Sequence, residues 1–321
     1  MSYNPYVTTI PTVGMLFDSY LESLKKRNAS CADHMDNILS NAKAFLGNET
    51  KASEVSPESV CAWLGTIYAR GSISMADRAR AYLKAAFNYG MKAKYDYRSP
   101  NSVQWNIQVN PIDSIPTDRG ASTKVHSRFF DREELGRFIT LLDNDLENVS
   151  ARALLLCLSI GCRIQEGSFL QVKMFDSEKG IIRWNTTKTG QPHQVALGSK
   201  IWEMMNEWCK GKDSESFIFP SPKDASKPVS SDTILKYFKR LGFKDAEPRS
   251  ACRRTLKSMG QVAGITLDML NIIQNHSSDR SVSTLNYNRY SLTEDAMIKM
   301  RQALNQWEEF LSHLQVSKMV A

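Results

Sequence analysis

The chain has 321 residues, 42% of them hydrophobic, and 41 Lys/Arg against 34 Asp/Glu give it a net charge of +7. This length and apolar content fit two domains with cores of their own and exclude a disordered chain, while the basic balance suits a polyanionic partner. The six cysteines (Cys31, Cys61, Cys157, Cys162, Cys209, Cys252) make no CxxC pair, so they read as reduced, buried thiols in a cytoplasmic protein, and neither a signal peptide nor an apolar run near ~20 residues is present.

Residues 1–12 read as a short polar arm. Four helical patterns follow over residues 13–97. Leu16, Phe17, Tyr20, Leu21 and Leu24 make the first, and Met35, Ile38, Leu39, Ala42 and Phe45 the second, which stops at Gly47. Ser56-Pro57 opens a third, with Val60, Trp63, Leu64 and Ile67 on one face. Ala79, Tyr82, Leu83, Ala86 and Phe87 mark the fourth. Arg70, Arg78, Arg80, Lys84, Lys92 and Lys94 gather on this helical bundle, either as a solvated face or as phosphate contacts that give sequence-independent DNA affinity. Residues 98–128 hold Pro100, Pro111, Pro116 and Gly120 without a long apolar period, and read as a linker.

The second domain, 129–321, starts with a helix from Asp131 carrying Leu135, Phe138, Ile139 and Leu142. Residues 149–160 form a buried helix ending at Gly161. Arg163 and Glu166 follow three apart, on one face of the next helix. Residues 180–198 change period: Ile182 and Trp184, a turn at Thr189-Gly190, then Val195 and Leu197, which is a hairpin with Lys188 near its tip. Further helices carry Ile201, Met204, Met205 and Trp208, then Ile234, Leu235 and Phe238. The fold class is therefore mainly α: an N-terminal helical bundle plus a mixed α+β domain with a small antiparallel sheet.

Residues 249–290 concentrate chemistry. Six Lys/Arg stand against two Asp/Glu, with Arg253-Arg254 near the start and His276, Tyr287 and Tyr290 near the end. Arginine can grip a phosphate, histidine can move a proton and a tyrosine hydroxyl can attack phosphorus. The plain alternative is a basic helix pair that only binds an anion. The tail, 293–316, is amphipathic through Met297, Met300, Leu304, Trp307, Leu311 and Leu314, and either packs on its own domain or is donated to a neighbouring protomer.

These segments together resemble the tyrosine recombinases of the phage-integrase family. GCRIQEGSFL resembles the first arginine box, TTKTGQPHQVAL the hairpin with the catalytic lysine, FIFPS the stretch after it, SACRRT the second arginine box, and NHSSDRSVSTLNYNRY the histidine-to-tyrosine segment. The resemblance covers residues 12–314 in the family's order and makes residues 13–97 a core-binding domain. It implies site-specific cutting and rejoining of DNA through a 3′-phosphotyrosyl link, in integration or excision of a mobile element, without cofactor or metal. By this likeness Arg163 and Arg253 clamp the phosphate, Lys188 protonates the expelled oxygen, His276 bonds the phosphate or helps deprotonate tyrosine, and Tyr287 attacks.

Two departures stand out. Ser250 occupies the place of a usual histidine, and a one-residue bulge there would present Arg249 instead. Tyr287 lies eleven residues after His276 where nine is usual, with Tyr290 as the other choice. The implied partners are double-stranded DNA, further copies of the chain as a tetramer on two sites, and an accessory DNA-bending or directionality protein. Residues 1–12 are too few for another DNA-binding domain, which predicts a simple site without distant arm sequences. A decayed DNA-binding relative and a type IB topoisomerase or resolvase are the competing readings.

Overall fold

The computed structural model describes residues 10–27, 29, 31–97, 103–118, 128–187, 192–276 and 292–316. The chain divides into two compact units, Met1–His126 and Ser127–Ala321.

The first unit is built on helices α1 (Val13–Lys26), α2 (Ala32–Leu46), α3 (Pro57–Ala69) and α4 (Ile73–Ala93). Side-chain oxygens start two of them: Thr12 accepts from Met15 N, and Ser56 accepts from Ser59 N ahead of Pro57. Leu16, Phe17, Leu39, Leu83 and Phe87 fill the core. Phe45 does not join them and is 49% exposed, because α2 is already ending at Gly47. Cys61 is likewise exposed, where the apolar pattern favoured burial.

Residues 103–118 do not behave as plain linker. Trp105, Ile107, Ile112 and Ile115 enter the core of the first unit. Buried Asn110 secures them: its Nδ2 donates to Lys84 O (3.0 Å) and Asn88 Oδ1 (2.9 Å), and its Oδ1 accepts from Ile112 N (3.0 Å). An irregular segment has no period to read, so its burial is set by pairings with α4 across more than twenty residues.

The second unit opens with α5 (Arg132–Asp143), held by a reciprocal cap between Asp131 and Glu134, then α6 (Val149–Ile160). α7 (Ile164–Ser168) precedes a three-stranded antiparallel sheet, β1 (Phe175–Asp176), β2 (Ile181–Trp184) and β3 (His193–Ala196), in that order. The β2–β3 register pairs Trp184 with His193 and Ile182 with Val195. The short β1 has too few residues to show alternation in sequence. Then come α8 (Ser199–Cys209), α9 (Ser231–Arg240), a single π turn (Ser250–Arg254), α10 (Thr255–Val262), α11 (Leu267–Ile273) and α12 (Glu294–Val316). On α9 the deeply buried residues are Ile234, Tyr237 and Phe238, with Leu235 only half-buried.

α12 lies against α5, α6 and α8 of its own unit. Trp307 is fully buried, and its Nε1–H donates to Leu158 O at 3.2 Å. One turn of α12 also caps α8: the Glu308 carboxylate accepts from Lys200 N (2.9 Å) and Ile201 N (3.0 Å), and Asn305 Oδ1 accepts from Ser199 N (2.7 Å). Trp307→Ala removes this core anchor and its hydrogen bond together. It is expected to destabilise the second unit by about 3–5 kcal/mol, read as a lower urea midpoint. Among the described residues no helix is long and apolar enough to cross a membrane.

Candidate active site

Three segments far apart in sequence meet in the second unit. α6 ends at Gly161, whose φ of +64° reverses the chain. A Cβ at 161 would come 2.6 Å from Gln274 Nε2 and 2.7 Å from Leu256 Cδ2, so the position needs glycine for space as well as for backbone. This sharp exit sets Arg163 at the start of α7. Glu166 then reaches back, accepting from Arg163 N at 3.0 Å and from the Arg163 guanidinium. The Arg163 side chain is 31% exposed.

Arg253 comes from the π turn, which inserts one residue per turn relative to an α-helix. It is 4% exposed, and three protein atoms fix its guanidinium. NH1 donates to Gly161 O (2.7 Å), NH2 donates to Gln274 O, and Nε–H points at His276 Nε2 (3.3 Å). Gln274 returns a bond from its Nε2 to Arg253 O (2.7 Å). Burial, then the charge of Arg163, pushes the Arg253 pKa down to about 10.

His276 follows Asn275, a non-glycine residue with φ of +49°. Asn275 Nδ2 donates to Thr187 Oγ1 at 3.3 Å, tying the base of the β2–β3 connection to the histidine. On its other edge the imidazole meets Lys257, with Nζ 3.2 Å from Nδ1. Burial, then Arg253, Lys257, Arg163 and Arg249, holds its pKa down at about 4.

Of the residues singled out by sequence, Arg163, Arg253 and His276 are thus brought together. Ser250 is 3% exposed, and its carbonyl accepts from Thr255 Oγ1 (2.9 Å), the same hydroxyl that receives Phe130 N (2.9 Å). Arg249 is exposed, and its charge acts on Arg253, Arg254 and His276. Lys188, Tyr287 and Tyr290 lie outside the described residues; the immediate chain neighbour of Lys188, Thr187, is the residue bonded by Asn275. His193 stands in the sheet rather than among the arginines. It stacks on Trp184 (5.6 Å, 16°) and bonds Ile273 O through Nε2 (3.0 Å), and burial lowers its pKa to about 4.

The six basic residues of the first unit do not form one surface. At about 100° per residue Arg78 and Lys92 share one face of α4, and Arg80 and Lys84 another. Arg80 pairs with Asp77 (3.3 Å) and donates to Ile115 O (3.3 Å), and Lys84 pairs with Asp113 (2.7 Å). Arg70, Arg78, Lys92 and Lys94 are exposed.

Lys257 and Gln274 were not legible as site residues. For Lys257 a local signal exists, since it stands four positions after Arg253 and so shares its helical face. Gln274 meets Arg253 across 21 residues and carries no local signal.

The cluster therefore holds Arg163, Arg253, Lys257 and Arg249 around a neutral imidazole, with Glu166 as the neighbouring carboxylate. Such a set takes an anion that accepts several hydrogen bonds, and a phosphodiester fits that description. No group of three or more His, Cys, Asp or Glu suited to a metal occurs among the described residues.

The sequence profile described as "Phage integrase family" matches residues 128–291. The chain belongs to the phage integrase family. That match spans both arginine segments and the histidine-to-tyrosine segment of this tyrosine recombinase family. Among curated proteins, no sequence matches the chain. Solved structures with the same fold include a lambda integrase (75-356) dimer bound to a COC′ core site, at 17% identity, TM-score 0.60, covering 84% of this chain and 96% of that one. The Tn1549 transposon integrase (aa 82-397) in complex with circular intermediate DNA matches at 17% identity and TM-score 0.60, covering 90% and 98%. A lambda integrase tetramer bound to a Holliday junction matches at 16% identity and TM-score 0.59, covering 87% and 83%. At these identities the likeness is one of fold.

Both imidazoles bear on stability. In the unfolded chain histidine titrates near 6.5, whereas the folded His193 and His276 resist protonation down to about 4. The unfolded state binds more protons in between. This stability is therefore present above pH ~6.5 and lost as pH falls through about 4, for His193 on the order of 3 kcal/mol in all. Glu308 opposes this, because burial raises its pKa and acidification then favours the fold. The melting temperature of the DNA-free protein is expected to fall from pH 7 to pH 5, and His193→Gln to flatten that fall.

Proposed function

We propose that this chain is a site-specific DNA recombinase that cuts and rejoins double-stranded DNA through a 3′-phosphotyrosyl intermediate, in integration or excision of a mobile element. The observation that carries it is the convergence of Arg163, Arg253 and His276, from three segments, in one cationic cluster inside the family-matched region. In this reading Tyr287 attacks phosphorus as its hydroxyl proton passes to water, His276 hydrogen-bonds the scissile phosphate, and the 5′-oxygen departs with a proton from Lys188. Arg163 and Arg253 stabilise the charge gathered on the non-bridging oxygens. A 5′-hydroxyl of a second strand then attacks the tyrosyl link, so the bond energy is kept and no nucleotide cofactor is needed. The catalytic unit supplies fixed cations where other phosphoryl-transfer enzymes use metal ions.

The similar structures support the partners. The lambda and Tn1549 integrases are described with DNA, one of them as a dimer and one as a tetramer on a Holliday junction. We extend this to the present chain as duplex DNA and a tetramer on two sites, in the cytoplasm, with an accessory DNA-bending or directionality protein as a further partner. Exposed Arg70, Arg78, Lys92 and Lys94 are assigned to phosphate contacts, with Arg80 and Lys84 adding charge from their paired positions. Residues 13–97, with 103–118 packed into their core, then act as the core-binding domain and 129–321 as the catalytic domain.

Incubation with a nicked suicide substrate carrying the DNA that flanks the gene tests this. A covalent protein–DNA adduct on a denaturing gel is the expected result. The burial of Ser250, where the family usually has histidine, favours a second reading, a DNA-binding relative that has lost cleavage. Sequence-specific binding without any adduct would establish that reading and overturn the first.

A further inference from the structure

His276 is flanked by two donors. Arg253 Nε–H approaches Nε2 at 3.3 Å, and Lys257 Nζ lies 3.2 Å from Nδ1. A guanidinium and an ammonium both carry hydrogens and offer no lone pair, while a neutral imidazole has one N–H and one lone pair. The ring can therefore accept from one neighbour only. Arg253 is not free to swing away, because NH1 is bound to Gly161 O and NH2 to Gln274 O. Lys257 is half-buried and has no carboxylate partner among the described residues. The charged groups acting on the imidazole are Arg253, Lys257, Arg163 and Arg249, all cations, so the conflict is not relieved by protonating the ring.

The two possible tautomers do different work. If Arg253 takes the lone pair at Nε2, Nδ1 carries the hydrogen and turns it uselessly toward the ammonium. If Lys257 takes the lone pair at Nδ1, the hydrogen sits on Nε2, the nitrogen beside the Arg253 guanidinium. An oxyanion arriving there can accept from Nε2–H and from Arg253 Nε–H at once, and the crowding of donors is resolved by the ligand itself. We propose that Lys257 is a positioning residue for His276: its ammonium donates to Nδ1, holds the imidazole as the Nε2–H tautomer, and so directs that hydrogen to an oxygen of the phosphate held by Arg253. The tautomer part stands on geometry alone; the phosphate part rests on the recombinase reading.

The two parts are tested separately. The full chain, labelled with 13C,15N-histidine, is examined without DNA at neutral pH by long-range 1H–15N correlation, with the His276 signals assigned through His276→Gln. The wild type is expected as the Nε2–H tautomer, Lys257→Arg to keep it, and Lys257→Met to switch to Nδ1–H as Arg253 gains Nε2. A wild-type Nδ1–H ring, or a ring unchanged in Lys257→Met, overturns the proposal. Lys257→Gln provides a second neutral variant should the methionine chain fold poorly. With the suicide substrate, Lys257→Met is expected to slow single-turnover adduct formation about 10²-fold and to move its pH profile, with Lys257→Arg restoring most of the rate. Adduct formation at the wild-type rate and pH profile in Lys257→Met also overturns it. A tautomer switch in a protein that makes no adduct at all upholds the role of Lys257 at His276 and removes the recombinase reading instead.

Discussion

Tyr287→Phe is expected to bind the same DNA as the parent chain and to form no covalent adduct, a loss of at least about four orders of magnitude. The reason is chemical: phenylalanine keeps the ring and removes the only atom that can join phosphorus, and no arrangement of cations replaces a missing nucleophile. Binding depends on phosphate contacts elsewhere and should keep its salt dependence. Tyr290→Phe is the paired control and is expected to retain adduct formation. The reverse pattern, an adduct in Tyr287→Phe and none in Tyr290→Phe, would move the nucleophile three residues along. Denaturing gels of suicide-substrate reactions read both.

Arg253→Ala is expected to be damaging twice over. Its guanidinium is assigned to the phosphate, and removing such a donor lowers cleavage about 10²–10³-fold. It also holds Gly161 O and Gln274 O, two acceptors left without donors in the buried interior. A stability loss of about 2–4 kcal/mol follows, measurable by denaturant unfolding. Arg253→Lys keeps the charge but cannot reach Gly161, Gln274 and His276 together, and should recover little of either. Arg163→Ala makes the contrast. Its side chain is 31% exposed and leans on Glu166, so cleavage is expected to fall by a similar factor while the melting point barely changes.

Much of this arrangement is local and could be read from the chain. The stop at Gly161, the spacing of Arg163 and Glu166 and the two strands around residue 188 all follow from short-range rules of helix termination, i,i+3 neighbours and alternation. What escaped reading is what is held by distant partners. Residues 103–118 become core only because Asn110 finds α4, and Tyr237 is buried where the period alone favoured Leu235. The π turn at Ser250–Arg254 depends on a single surplus residue being absorbed in a helix, and no propensity distinguishes it from an ordinary turn. Gln274 is the clearest case. It is an amide in an apolar run, and its value lies in exchanging two hydrogen bonds with an arginine 21 residues earlier.

Asn275 carries one more consequence. A left-handed backbone costs an ordinary residue roughly 1 kcal/mol, somewhat less for asparagine, and here that strain sits immediately before His276. Its side chain meanwhile grips Thr187, at the root of the segment that leads to Lys188. Losing that bond, as in Thr187→Val, would leave the left-handed turn without this support. The end of the β2 segment and the turn that presents the imidazole are thereby thermodynamically linked: whatever strengthens the bond favours the ordered state of both by the same free energy. A latch of this kind makes ordering of the two segments closer to all-or-none than their separation of 88 residues along the chain would suggest.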